Sequence, residues 1–219
     1  MTDMLDIERE MEVQRDLVSG VAAGGSTIDS GGKMEVQRWI ETCKGRAFYL
    51  ETPVFDIEEV AHALSNVCRY AGHCRRFYSV AEHSVLVADI MEVLGFGNPM
   101  EGLLHDGTES VLADIAAPWK ALMPDYKRIE SELDRALRKQ FELPERISVG
   151  CKHADWIALA YEAEQLIPSQ GRDWLMPDGV REDMQLFKRQ VWNGFIGERP
   201  NDAEAMFLKR FERLGGRNG

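Results

Sequence analysis

The sequence predicts an all-α protein, a compact multi-helix domain. Apolar residues recur at the i, i+3, i+4, i+7 spacing through most of the chain after Met34, and the periodic stretches open on capping residues. Little else competes with that pattern. Only "RAFYLE" (46–51) and the tract from Trp174 to Pro177 look extended.

The elements follow in order. "DIEEVAHALSNVC" places Ile57, Val60, Ala61, Leu64 and Val67 on one stripe, with Asp56 and Glu59 spaced as a capping box. "SVAEHSVLVADIMEVLG" opens with Ser79 and Glu82 in the same arrangement and closes at Gly95. "NPMEGLLHD" has Asn98 as cap and Pro99 at the first helical position. "DYKRIESELDRALRKQF" carries Tyr126, Ile129, Leu133, Leu137 and Phe141 on one face. "PERISVGCKHADWIALAYEAEQLI" predicts a long helix and "NDAEAMFLKRFERLGG" a last one.

The first 33 residues read differently. "SGVAAGGSTIDSGG" has the composition of a flexible linker, and "MEVQR" occurs at 11–15 and again at 34–38. A local duplication or a second start at Met34 explains the repeat equally well. The expected organisation is an appendage over residues 1–33 and a folded domain over 34–219.

At 219 residues the chain is long enough to bury a sizeable core, and 44% hydrophobic with 29% charged residues is ordinary for a globular protein. No run approaches the roughly 18 apolar residues that span a bilayer, and the acidic N-terminus lacks a secretory h-region. A cytoplasmic protein is the expectation. The net charge of −11 argues against a nucleic-acid polymer as partner. It leaves room for a small anion, because basic residues cluster in Arg69, Arg75 and Arg76 and in Lys120, Lys127 and Arg128. Cys68 and Cys74 flank His73, a spacing that matches no common zinc module, so reduced thiols are the better reading.

Function is carried by ionisable residues that interrupt apolar stripes. His83 lies within the stripe Val80, His83, Val87, Ile90, Leu94, where it is either a satisfied core histidine or a ligand. In "EGLLHDGTESVLAD" (101–114), His105 and Asp106 stand side by side in an apolar run. Burying them is expensive unless a metal, a hydrogen-bond network or solvent compensates. Glu109, i+4 from His105, falls on the same side of a helix. Gly107 favours the alternative of a helix end facing water. Asp155 lies on or beside the apolar face of its helix, shared with Glu162 seven residues on; it either caps, pairs with an arginine or ligates. Two imidazoles and two carboxylates from three helices make a ligand set with coordination positions open to water.

The order H…HD…D, here His83, His105–Asp106 and Asp155, resembles the HD-domain superfamily of metal-dependent phosphohydrolases. "DIEEVAHALSNVCRYAGHCRRFYSVAEHS" and "LLHDGTESVLADIAAPWK" look like the branch of bacterial 5′-deoxynucleotidases and phage dATP triphosphohydrolases (DatZ). The resemblance runs from about Gly45 to Leu166. It implies an HD-domain bundle in which His83, His105, Asp106 and Asp155 hold one divalent metal (Zn, Co or Mn). It implies that Glu109 assists the attacking water and Asp114 contacts the sugar or that water. It implies that Arg69 and Lys120 bind phosphate and that Pro118 and Tyr70 lie against the base. The implied reaction is hydrolysis of the 5′ phosphoester of a deoxynucleotide, dATP first, by a homo-oligomer (dimer or hexamer). A dNMP 5′-nucleotidase and a non-catalytic nucleotide-binding module are the competing readings. The tail beyond Leu166, with Trp174, Trp192, Phe195 and Phe207, covers the core or builds a subunit contact.

Overall fold

The computed structural model describes residues 38–190 and 197–217 in full and the backbone of 26–28 and 34–36. The chain divides into two compact units, Met1–Val54 and Phe55–Gly219. In the first, β1 (Ser26–Ile28) pairs antiparallel with β2 (Met34–Val36), and β3 (Trp39–Glu41) with β4 (Ala47–Tyr49). The extended reading of "RAFYLE" therefore holds, and a strand also lies within the Gly/Ser-rich tract, where composition suggested only a linker. The rest of the proposed 1–33 appendage lies outside the described residues. Trp174–Pro177 forms no strand.

The second unit is all-α, as the periodicity predicts. Its helices are α1 (Ile57–Asn66), α2 (Val80–Leu94), α3 (Pro99–Leu104), α4 (Glu109–Leu112), α5 (Ala117–Lys120), α6 (Pro124–Gln140), α7 (Val149–Leu166), α8 (Val180–Gln190) and α9 (Pro200–Arg213). The cap residues are those read from the sequence, and the reciprocal box is seen at Ser79 and Glu82. Asp56 accepts from the backbone N–H groups of Glu58 and Glu59; Asn98 accepts from Met100 N; Gly95 ends α2 at φ 73°. The long helix α7 starts later than its apolar pattern suggested, because Ser148 takes the cap by accepting from Cys151 N. The periodicity argument missed α8, whose charged sequence shows only Val180, Met184 and Phe187 to the core. No helix among the described residues is long and apolar enough to cross a membrane.

Helix α2 is central, packing against α3, α7 and α9. Val87, Ile90 and Met91 of α2 meet Cys151, Ala154, Ile157, Ala158 and Tyr161 of α7 and the apolar residues of α8. Phe207 is fully buried and Trp174 half-buried, so these aromatics serve the core; Trp192 and Phe195 lie outside the described residues.

Two glycines set how closely the α3 segment seats. A Cβ at Gly102 would meet Met91 Sδ at 2.7 Å and Ala88 N at 3.1 Å, and one at Gly107 would meet Leu137 Cδ1 at 2.6 Å. Gly107 is thus a packing residue beneath α6, not the sign of a segment facing water: His105 and Glu109 on either side are buried. Beside this contact, the Glu101 carboxylate accepts from Arg138 Nη1 (3.1 Å), Ser148 N (2.8 Å) and Ser148 Oγ (2.7 Å). Arg138 also reaches Asp134 and the Pro144 carbonyl. One buried ion pair therefore joins α3, α6 and the start of α7. Removing one partner of such a pair typically costs about 3–5 kcal/mol, so Arg138→Met should lower unfolding stability by about that amount in urea titrations, with the helical content of the folded state unchanged.

Candidate functional site

The α3 helix stops at Leu104, and residues 105–108 form turns before α4 begins. The helix assumed to run from His105 to Glu109 is interrupted, yet the turn brings the same residues inward. His105, at the α3 C-cap, and His83, from the first turn of α2, face each other with Nε2 atoms 3.3 Å apart. Asp106 Oδ2 lies 3.4 Å from His83 Nε2 and 3.2 Å from His105 Nε2. Asp155 Oδ1, from α7, lies 3.2 and 3.9 Å from the same two nitrogens. The four sequence candidates thus converge. His83, His105 and Asp106 form the group among the described residues whose ligand atoms fit one metal ion, and Asp155 borders it on the more open side.

The opposite nitrogens decide what these Nε2 atoms are. His83 Nδ1 lies 2.5 Å from Glu162 Oε1, and His105 Nδ1 lies 2.8 Å from the Gly102 carbonyl oxygen. Both partners only accept, so both Nδ1 atoms carry the proton and donate. Two Nε2 lone pairs and two carboxylate oxygens then face one another, an arrangement that requires positive charge. Without a metal, protons supply it. Burial and Arg69 push the His83 imidazole down, but Glu162, Asp106 and Asp155 outweigh them and hold it well above its usual range. His105 is raised likewise: burial opposes, and Asp106 prevails. Burial tends to raise Asp106 and Asp155, but the imidazoles hold both below the usual carboxylate range. A divalent cation satisfies the same demand, and two nitrogens with two oxygens suit zinc or another first-row ion.

Glu162 was noted in the sequence only as sharing the face of Asp155, and Tyr78 gave no signal. Both prove central. Glu162 is fully buried and accepts from Tyr70 Oη (2.6 Å) and Tyr78 Oη (3.0 Å) besides His83, with Arg69 Nε 3.3 Å away. Burial would raise this carboxyl, but Arg69 and His83 bring it down to about 2. Arg69 also approaches Asp106 Oδ2 at 3.6 Å, and its buried Nε makes no hydrogen bond. Tyr70, expected against a base, instead directs its hydroxyl to Glu162 while its ring lies 6.4 Å from that of Trp174.

Glu109 is buried beside this cluster, and its Oε2 has no hydrogen-bond partner. Burial, then Asp106 and Asp114, push its carboxyl up to about 9. Lys120 Nζ lies 3.6 Å from Glu109 Oε1 but donates to Glu130 at 2.6 Å, a partner absent from the sequence reading. Asp114 follows Ala113 (φ 63°); burial raises it, and it feels Arg69, Asp106, His83 and Lys120. Pro118 is exposed at the start of α5 and is not brought to the cluster by any hydrogen bond or ion pair among the described residues. Cys68 and Cys74 adjoin one another, but His73 between them is exposed and joins no metal-ligand group among the described residues.

No protein-family profile matches the chain. It is 38% identical over 180 residues to the uncharacterized protein YfdR of Escherichia coli K12, covering 80% of this chain and 95% of that protein. The chain belongs to the YfdR family. It is also 34% identical over 145 residues to the uncharacterized protein RCAP_rcc00048 of Rhodobacter capsulatus, covering 58% of this chain and 72% of that one.

Two outcomes follow from the geometry. Glu162→Gln keeps the shape but removes the charge that orients the His83 imidazole. It should weaken Zn2+ or Mn2+ binding by about 10–100-fold in calorimetric titrations. The second outcome concerns pH. His83 and His105 have raised folded-state pKa values, so the stability they contribute is present below about pH 6.5 and lost as pH rises through those values. Glu109, raised to about 9, acts in the same direction. The Tm of EDTA-treated protein should fall from pH 6.5 to pH 9, and the gap to metal-loaded protein should widen.

Proposed function

We propose that this chain is a metal-dependent phosphohydrolase of the HD-domain type that cleaves the 5′ phosphoester of deoxynucleotides. The preferred substrate is dATP, giving deoxyadenosine and triphosphate. The observation that carries the reading is the convergence of His83, His105, Asp106 and Asp155 beside a buried glutamate with an unpartnered oxygen and a buried arginine. A structural metal site would need neither Glu109 nor Arg69 at that position. A purely nucleotide-binding module would not need Glu109.

His83, His105, Asp106 and Asp155 would hold one divalent ion (Zn, Co or Mn), which when bound activates water and polarises a phosphoryl oxygen. Glu109 would accept the proton of the attacking water through Oε2. In the absence of a cation its raised pKa keeps it protonated at neutral pH; positive charge at the cluster adds to the pull of Lys120 and favours the carboxylate. Arg69, bearing on Asp106 from the adjoining turn, would neutralise charge on the transferring phosphate. Lys120 adds a second positive charge next to Glu109. Asp114 would meet the sugar or the water near the scissile bond. Tyr70, whose ring lies 6.4 Å from that of Trp174, would lie against the base, and the same role is proposed for Pro118.

Removal of orthophosphate from a dNMP is the second reading, and one observation favours it. Of the cations that would meet the β and γ phosphates (Arg75, Arg76, Lys127 and Arg128), Arg128 is already engaged with Glu132, and the phosphate-binding Lys120 with Glu130. Cytoplasmic location and a homo-oligomer, dimer or hexamer, belong to the same proposal. Trp119 and Leu122, 65% and 75% exposed, supply apolar surface of the kind a subunit contact covers.

A screen of dNTPs and dNMPs with Zn2+, Co2+ and Mn2+ tests the reading by its products. Deoxyadenosine with triphosphate supports the lead, orthophosphate from a dNMP supports the second reading, and no turnover of either class sinks both. Glu109→Gln should lower kcat by about 100-fold or more while metal content is retained; unchanged kcat would remove Glu109 from the chemistry.

A further inference from the structure

Two thiols that the proposed chemistry does not use lie within reach of one another. Cys68 Sγ and Cys74 Sγ are 4.0 Å apart, and both sit against the carbonyl oxygen of Arg69, at 3.4 and 3.9 Å. The five residues between them close a tight ring. Arg69–Gly72 is a kinked turn in which Tyr70, Ala71 and Gly72 lie at φ 58°, 49° and 77°. Left-handed backbone is disfavoured at Tyr70 and Ala71, so the surroundings must hold the ring in shape. They do so on both sides: Cys68 bridges to Ser79, Arg69 N donates to Tyr78 O at 2.9 Å, and Arg75 N donates to Leu166 O at 2.9 Å. The ring carries Arg69 and Tyr70, which both reach Glu162.

We propose that Cys68 and Cys74 form a reversible dithiol–disulfide site whose oxidation tightens this ring and weakens the hold of Arg69 on a phosphate. The second half rests on the phosphohydrolase reading. The oxidant is a small disulfide such as oxidised glutathione. One cysteine thiolate attacks it, forming a mixed disulfide and expelling one glutathione thiolate. The other cysteine thiolate then attacks the protein-side sulfur, forming the Cys68–Cys74 bond and expelling the second. Two electrons pass to the oxidant, and the two cysteine protons end on two glutathione thiols. The sulfurs must close from 4.0 Å to about 2.05 Å. They contact the Arg69 carbonyl, so closure shifts the backbone that presents this guanidinium to Asp106 and Glu162. The metal ligands lie on other segments.

The test uses the full-length, metal-loaded chain treated with oxidised glutathione, followed by alkylation and peptide mapping. The expected product has lost two hydrogens between Cys68 and Cys74, leaves Cys43 and Cys151 alkylatable under denaturation, and reverts with dithiothreitol. It should bind inorganic tripolyphosphate about tenfold more weakly at unchanged metal content. Cys74→Ser should abolish that sensitivity. Glutathione adducts without an internal bridge would overturn the dithiol site, and a bridge with unchanged tripolyphosphate affinity would overturn its coupling to Arg69. Should the reduced protein fail to bind tripolyphosphate, the triphosphohydrolase reading fails, and the peptide map still decides the disulfide.

Discussion

The carboxylate of Glu162 has no contact with solvent and gathers His83, Tyr70, Tyr78 and Arg69 around its two oxygens. An isolated buried carboxylate would protonate; this one is held ionised because Arg69, the His83 imidazole and two tyrosine hydroxyls surround it. Its influence extends along the side chains it binds. By accepting from His83 Nδ1 it turns Nε2 toward His105, and by drawing in Arg69 it sets a guanidinium beside Asp106. The candidate ligand cluster and the Arg69 guanidinium are thus positioned by the same acid.

The opposite wall depends on close packing. His105 receives its orientation from the Gly102 carbonyl, and Gly102 exists because α2 crosses too near for a side chain. Gly107 performs the same task under Leu137, and the Glu101–Arg138 pair locks the segment to α6 and α7. The turn at 105–108 has little room to relax, so the two imidazoles are held with their Nε2 atoms 3.3 Å apart, and mutual repulsion of their lone pairs is offset by protons or by a divalent cation.

Much of this was legible beforehand. His83 betrayed itself by interrupting an apolar stripe, and His105–Asp106 by standing in an apolar run, because a polar residue at a core position needs a partner. Helix caps at Asp56, Ser79 and Asn98 were equally readable, since each satisfies a local backbone donor. Helix α8 was not, because three apolar residues among charges leave a weak period. Gly107 was misread: its local meaning is a weak helix, whereas its actual role depends on a side chain thirty positions away.

Sequence alone therefore determined the all-α class, most helix boundaries and the identity of the converging His and Asp residues, since these follow from short-range periodicity and from the cost of burying polar groups. Tertiary structure alone decided the rest. It interrupted the helix at His105, placed Glu130 on Lys120, brought Cys74 back to Cys68 and made Glu162 the support of the site. Each of these is a pairing set by how helices cross and turns close, which no local spacing encodes.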